Sequence, residues 1–349
     1  MIQPMPANKR FYPAVLLALA LTSADLRSAS PETIDLPDGS WRGVQSFNSG
    51  LWLWSASTLY RSVDGGRSWH SLRLPECDSL LPMLSAASFV DHTSGLIDWC
   101  GRLYVTDNGG EAFRVLNSPL DDRVDTGSLR NIWAGRTVWI SGGAYTSAKS
   151  NGANHATRSD GAVLEPSLFR KSGIGSWTRV PLPFRDGYRA GLPRSDLEPL
   201  VVHSEIEIAF RADDSWKMAL IYRGCVDEGF FSAEGQFVAA TMVGLHGWIS
   251  HTSGYVLRTI DGGRTWCQVG VPRTALRKGD LPYFSEILFL DPASGAAIQQ
   301  GVVYVTRDSG KTWVSRPLSE KIVSLVDARD VIWGLGRTKL FPVVAKSND

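Results

Sequence analysis

An apolar strand, a polar turn and a second strand ending near a proline recur along this chain. The clearest copies are LYRSVDGGRSWHSLRLP (Leu59 to Pro75) and VLRTIDGGRTWCQVGVP (Val256 to Pro272). Two more are VYVTRDSGKTWVSRPL (Val303 to Leu318) and LYVTDNGGEAFRVLNSPL (Leu103 to Leu120). A degenerate fifth, LFRKSGIGSWTRVPLP (Leu168 to Pro183), lacks the acidic residue and is one residue shorter. Between the copies lie further short alternating runs, so the pattern predicts an all-β repeat protein.

The shared turn reads Ser/Thr-x-Asp/Asn-x-Gly-x-x-aromatic, and each residue type has a physical reason to be there. Asp64, Asn108, Asp261 and Asp308 can accept hydrogen bonds from backbone N–H groups across the turn. Gly66, Gly110, Gly263 and Gly310 permit a positive φ without a Cβ clash. Ser62, Thr106, Thr259 and Thr306 open the turn and can bond locally. Trp69, Phe113, Trp266 and Trp313 can fold back and cover the hairpin with a large apolar face. One such motif is a weak signal. Three good copies and one near copy, flanked by matching strands, are a strong one.

The N-terminus breaks the pattern. Lys9 and Arg10 precede a short apolar stretch, Phe11 to Leu21, and Thr22-Ser23-Ala24 supply small residues where a signal peptidase would cut. Residues 1–24 are therefore expected to be a signal peptide and residues 25–349 the folded domain. An uncleaved anchor or a buried N-terminal helix is the alternative. The apolar stretch is short for a bilayer span, and no later segment is long and apolar enough, so no integral membrane segment is expected after cleavage.

Composition changes this picture little. The 349 residues are 43% hydrophobic, enough for a core without a metal or disulfide scaffold. Lys plus Arg number 36 against 35 Asp plus Glu, so no polyanion-binding surface and no nucleic-acid partner is indicated. The six histidines show no metal-ligand spacing. The boxes lack the twelve-residue loop ending in Glu that an EF-hand needs, and no phosphate loop or dinucleotide fingerprint occurs. Neither a metal nor a cofactor is expected.

On its turns, the sequence resembles the Asp-box (BNR) repeat propellers, which include sialidases, sortilin-type receptors, some glucan hydrolases and the photosystem II assembly-factor family. The resemblance covers most of the mature chain and implies a single β-propeller. It also implies that each box joins the two outer strands of a blade, away from the binding or active face. Counting outward from the boxes gives blades at about 41–75, 84–120, 129–183, 236–272 and 284–318. Pro199 to Gly224 can supply a boxless fourth blade. Ile322 to Val344 offers three strands of a last blade, and Thr33 to Pro37 resembles an outer strand that would complete it and remove an exposed edge. The count comes to seven four-stranded blades, with six or eight also compatible.

This topology places the cysteines. Cys77 falls in the connection after blade one and Cys100 at a turn of blade two, both on the face opposite the boxes, where a bridge can form. Cys225 and Cys267 fall near the outer strands of blades four and five. In an exported chain these residues meet an oxidising compartment, so disulfides are expected, with buried free thiols as the alternative.

Two segments exceed what blade connection requires, Ser141 to Ser167 within blade three and Phe184 to Pro199 between blades three and four. Long loops on a rigid scaffold are where binding residues concentrate. Tyr145, Lys149, Arg158, Arg185, Tyr188, Arg189 and Arg194, with His155, would form a cationic, aromatic rim on the face away from the boxes. Such a rim suits a protein or glycan partner. No Arg-Ile-Pro segment of the sialidase kind occurs, and Glu205, Glu207, Asp227, Glu228 and Glu286 show no spacing that would set two carboxylates across a cleft. The expectation is an exported, monomeric, non-enzymatic propeller, periplasmic or extracellular, acting as an assembly or interaction factor. A sialidase-like glycoside hydrolase is the alternative.

Overall fold

Seven antiparallel sheets follow one another along the chain in the computed structural model. It describes residues 32–47, 50–77, 82–89, 91–116, 124–125, 131–134, 137–146, 163–172, 178–181, 188–191, 201–204, 207–212, 215–226, 235–270, 283–328 and 330–346. The expected leader, residues 1–24, lies outside them. Each sheet is a blade, and in four of the seven the strands pair strictly in sequence order. Blade one comprises Gly43–Phe47, Gly50–Trp54, Leu59–Ser62 and His70–Leu72. Blade two comprises Leu84–Phe89, Gly95–Trp99, Arg102–Thr106 and Arg114–Val115. Blades five and six repeat this plan over Phe237–Val269 and Glu286–Arg316.

The tail supplies three strands, Ser324–Ala328, Val331–Leu335 and Lys339–Ala345. The fourth is Ile34–Asp35, which pairs with Leu340 and Lys339 from the other end of the sequence. Blades seven and one then share a core: Trp41, Val44, Leu51 and Leu53 pack with Val326, Leu335 and Leu340. The box tryptophan of blade one also donates its Nε1–H to the Asp35 carbonyl at 3.1 Å. The N-terminal strand thus completes the last blade, as the repeat pattern predicts.

Neighbouring blades are joined by large side chains and by polar groups on the inner strands. Trp52 lies flat on Phe89 of the next blade, with centroids 3.5 Å apart. Trp248 lies on Phe289 in the same way, also at 3.5 Å. Arg61 and Arg258 cover the two tryptophans at 5.4 and 5.7 Å. The space for each Phe comes from a glycine: a Cβ on Gly95 would sit 2.1 Å from Phe89, and one on Gly295 would sit 2.6 Å from Phe289. The Gln45 amide donates to the Phe89 carbonyl and accepts from its N–H, both at 2.8 Å. Ser46 donates to the Asp327 carbonyl of blade seven.

Blades three and four depart from the sequence reading. The second and third strands of blade three, Thr137–Thr146 and Val163–Ser172, pair over ten residues each. The two ends of the segment read as an inserted loop from Ser141, residues 141–146 and 163–167, are therefore paired strand. Its glycine- and serine-rich strand, SGGAYT, has no alternation to read, but a ladder needs only backbone partners. The segment read as a connector, Phe184 to Pro199, contains the inner strand of blade four, Tyr188–Gly191, which pairs with Val201–Ser204. The run ending at Gly224 is also shared out. Ser215–Met218 closes blade four, whereas Leu220–Ile221 adds in parallel to the outer strand of blade five.

Candidate functional site

The box turns occupy one face of the ring, and their hydrogen bonds are the same in blades one, five and six. Thr306 donates its hydroxyl to Asp308 Oδ1 at 2.8 Å and accepts from the Gly310 N–H at 2.9 Å. Asp308 Oδ1 then accepts from the Thr312 N–H at 2.9 Å, and Oδ2 accepts from the Thr312 hydroxyl at 2.6 Å. Ser62–Asp64–Gly66–Ser68 and Thr259–Asp261–Gly263–Thr265 make the same set. Gly66, Gly110, Gly263 and Gly310 all take positive φ, between 85° and 92°.

These carboxylates are consumed by the turn. The Ser68 hydroxyl and N–H hold the Asp64 carboxyl well below the usual carboxylate range. For Asp261 and Asp308, partial burial opposes ionisation, but the bonds from Thr265 and Thr312 outweigh it and the net shift is downward. With their lone pairs occupied by the turn, the box aspartates are structural groups. The hydroxyl one residue before the aromatic (Ser68, Thr265, Thr312) is as much a part of the motif as the aspartate, although the sequence reading passed over it.

A second repeated turn lies beside the boxes. Asp91 accepts from the N–H groups of Thr93 and Ser94, and Asp291 from those of Ala293 and Ser294, all at 2.7 Å. The next box docks onto it: the Gly109 and Ser309 N–H groups donate to the carbonyls of Thr93 and Ala293. The signal was present as Asp-x-x-Ser-Gly in both places.

The opposite face is built differently. Its tight turns in blades two and six place Cys100 and Gln300 at φ 53°, each followed by a glycine of positive φ. Cys100 bonds to Cys77 in the preceding connection, and Cys225 bonds to Cys267 at the outer edge of blade five. Both expected disulfides are formed. Glu320 accepts from the Arg337 and Thr338 N–H groups and from the Thr338 hydroxyl, holding the turn that receives the N-terminal strand. On this face the blade-three hairpin runs past its neighbours. The outer strand Thr178–Pro181 covers only Ser167 to Arg170, leaving Gly143–Thr146 and Val163–Pro166 beyond it. That overhang is about 13 Å at a strand's rise per residue. A short strand, Val124–Asp125, flanks it by pairing with Ala144 and Gly143.

Of the expected rim residues, Tyr145 falls in the overhanging strand. Tyr188 and Arg189 fall in the inner strand of blade four, so they belong to the inner layer of the ring and not to a connecting loop. Lys149, Arg158, Arg185 and Arg194, and His155 with them, lie outside the described residues. Among the carboxylates weighed for hydrolysis, Glu286 is on the inner strand of blade six, and burial pushes it up to about 7. Its Oε1 accepts from the Leu325 N–H at 2.9 Å and from the Ser324 hydroxyl at 3.2 Å, so it is spent on the joint with blade seven. Glu205, Asp227 and Glu228 lie outside the described residues. Among the described residues, no three His, Cys, Asp or Glu side chains gather into a metal-binding group. None of the described helices is long and apolar enough to cross a membrane.

No protein-family model matches the chain, and no curated protein matches its sequence. Solved structures do match its shape. YCF48 bound to D1 peptide is similar over 90% of this chain and 97% of its own, at 16% identity and a TM-score of 0.62. YCF48 from Cyanidioschyzon merolae covers 89% of this chain and 97% of its own, at 13% identity and a TM-score of 0.58. A GH74 xyloglucanase from Xanthomonas campestris covers 84% of this chain and 50% of its own, at 12% identity and a TM-score of 0.51. At such identities likeness speaks to the fold alone, and the fold is a β-propeller similar to those of YCF48 and the GH74 xyloglucanase.

Proposed function

We propose that the chain is exported and acts as a non-enzymatic binding propeller, engaging a protein or glycan through the face opposite the box turns. The observation that carries this reading is the blade-three hairpin. Its paired strands overhang the blade's outer strand by about four residues, whereas the corresponding strands of blades two and six close in two-residue turns. A rigid ladder that projects from a closed scaffold offers backbone and side-chain contacts at low ordering cost. A solved structure of similar shape is that of YCF48 bound to D1 peptide, which favours a protein segment as the partner. Two disulfides support export.

The test is crosslinking capture from exported fractions, comparing the full protein with a variant in which residues 147–162 are replaced by a short Gly-Ser turn. A specific partner captured by the first and lost by the second is the expected result. Equal capture by both would remove the hairpin from the binding face. N-terminal sequencing of the exported protein should find a start near Asp25, and an intact Met1 would overturn the signal-peptide assignment.

A further inference from the structure

In each boxed blade the second strand presents to the next blade a side chain two residues beyond the position held by Trp52 and Trp248. That position lies three residues beyond the partner of the box Ser/Thr, where Ser62, Thr106, Thr259 and Thr306 pair with Leu51, Gly95, Gly247 and Gly295. The equivalent residues are Trp54, Asp98, Ser250 and Ile298. Trp54 packs with the blade-one and blade-two aromatics, and Ile298 packs with Ile322 and Leu325 of blade seven. Ser250 crosses to blade six with a hydrogen bond, donating to the Phe284 carbonyl at 2.8 Å.

Asp98 is the exception. Its neighbours Ile97 and Trp99 pack with Trp52 and Leu59 of blade one, so by strand alternation Asp98 faces blade three. The inner strand of that blade, Asn131–Ala134, packs against the inner and second strands of blade two. Asp98 has no exposed surface, and neither carboxylate oxygen has a hydrogen-bond partner among the described residues. Its cross-strand neighbours are Ala86 and Leu103. The strands packed around it hold little charge. Leu84–Phe89 and Asn131–Ala134 contain no titratable residue, and Thr137–Thr146 contains only Tyr145. Arg102 and Tyr104 alternate to the other side of their strand, where Tyr104 joins the blade-one cluster.

We propose that Asp98 is a proton-operated latch between blades two and three. As a neutral acid it donates to a backbone carbonyl of blade three, as Ser250 does to blade six, and its ionisation releases the joint. A carboxylate in this setting has lost its water and gained neither a cation nor a donor, which is the costliest way to bury it. Burial accordingly pushes its carboxyl up to about 7. The folded value lies above the unfolded one near 4, so the stability it brings is whole below about pH 4 and is lost as pH rises through about 7. The blade it releases is the one that carries the overhanging hairpin.

The experiment follows thermal unfolding of the full chain and of Asp98→Asn from about pH 5 to about pH 8, with hydrogen exchange at Asn131–Ala134 as the local readout. The wild-type midpoint should fall on the order of 5 °C over this range, and Asn131–Ala134 should exchange faster while Val331–Leu335 does not. The Asn variant should lose Asp98's share of that fall, keeping only the slope that Glu286 contributes, and its exchange at Asn131–Ala134 should be flat. A variant that follows the wild-type slope, or a wild type that is flat, overturns the proposal. Should the Asn variant not fold, Asp98→Ser copies the blade-five residue. Infrared difference spectra, wild type minus the Ser variant so that the band of Glu286 cancels, should then show a protonated-carboxyl band near pH 5 that fades by about pH 8. A difference spectrum without that band overturns the latch equally.

Discussion

The two faces of the ring are made by opposite means. On the box face, one local hydrogen-bond pattern is repeated with small edits, and in blades two and six the box leans on a second repeated turn in its own blade. On the other face almost nothing repeats: a disulfide ties one turn, a carboxylate ties another, and a long hairpin extends a third. Repetition suits a face whose task is to hold strands in register. A face made of exceptions is one where each blade can change without disturbing the next, which is what a binding surface requires.

The sharpest way to break the comparison is to remove a side chain that links the repeated face of one blade to the next. Trp248 is fully buried, stacks on Phe289, and donates its Nε1–H to the Ser309 carbonyl inside the blade-six box at 2.9 Å. Trp248→Ala should cost about 3–5 kcal/mol in chemical denaturation, while Trp248→Phe should recover most of it. A cost below about 1 kcal/mol for the alanine would mean that the blades hold together without these stacks.

The irregular face should respond less, and through the unfolded chain. The disulfides close loops of 23 and 42 residues in sequence separation. Chain entropy gives each about 3–4 kcal/mol, with the longer loop ahead by roughly half a kcal/mol. Cys77→Ser with Cys100→Ser, and Cys225→Ser with Cys267→Ser, should therefore lower the unfolding free energy in that order of increasing effect. The second pair should also free Leu220–Ile221 from the outer strand of blade five, which hydrogen exchange would detect at Thr265–Val269. A larger loss from the first pair would show that native contacts around Cys100, and not loop entropy, set its value.

How much of this was legible in the sequence follows the same division. The box turns could be read because every bond in them spans four residues or fewer, so the chemistry sits inside one window of sequence. Ser68, Thr265 and Thr312 were inside that window too, but Ala112 in blade two hid the position. Tyr188–Gly191 is a strand only because Val201–Ser204 pairs with it, and four residues ending in Ala-Gly hold no alternation. Asp98 shows the deeper limit. In an alternating strand a polar residue reads as solvent-facing, but a blade packed on both sides buries both of its faces, so alternation no longer separates inside from outside. The loop placement of Tyr188 and Arg189 differs for a related reason: their neighbours in sequence suggest a connector, and a long-range ladder puts them in the inner strand of blade four.

Blade two also contains the smallest and most informative test. Where the other boxes hold Asp and a hydroxyl four residues on, it holds Asn108 and Ala112, and the Asn oxygen accepts from the Thr106 hydroxyl at 2.9 Å and from the Ala112 N–H at 3.0 Å, with no hydroxyl at position 112 to add a further bond. Both halves of the bond from hydroxyl to second carboxylate oxygen are therefore missing together. The change is self-consistent, since an amide nitrogen facing a hydroxyl donor gains nothing there. Asn108→Asp alone should be close to neutral at pH 7, and Ala112→Thr alone likewise. The double variant should gain about 0.5–1 kcal/mol, a coupling that a double-mutant cycle isolates. The gain has a sign with pH. The new carboxylate, like Asp261 and Asp308, would titrate below its unfolded value, so its contribution is present above about pH 4 and disappears as pH falls through the folded value. A gain that persists unchanged in acid would mean that the threonine acts by packing, and that the box is held by shape and not by its hydrogen bonds.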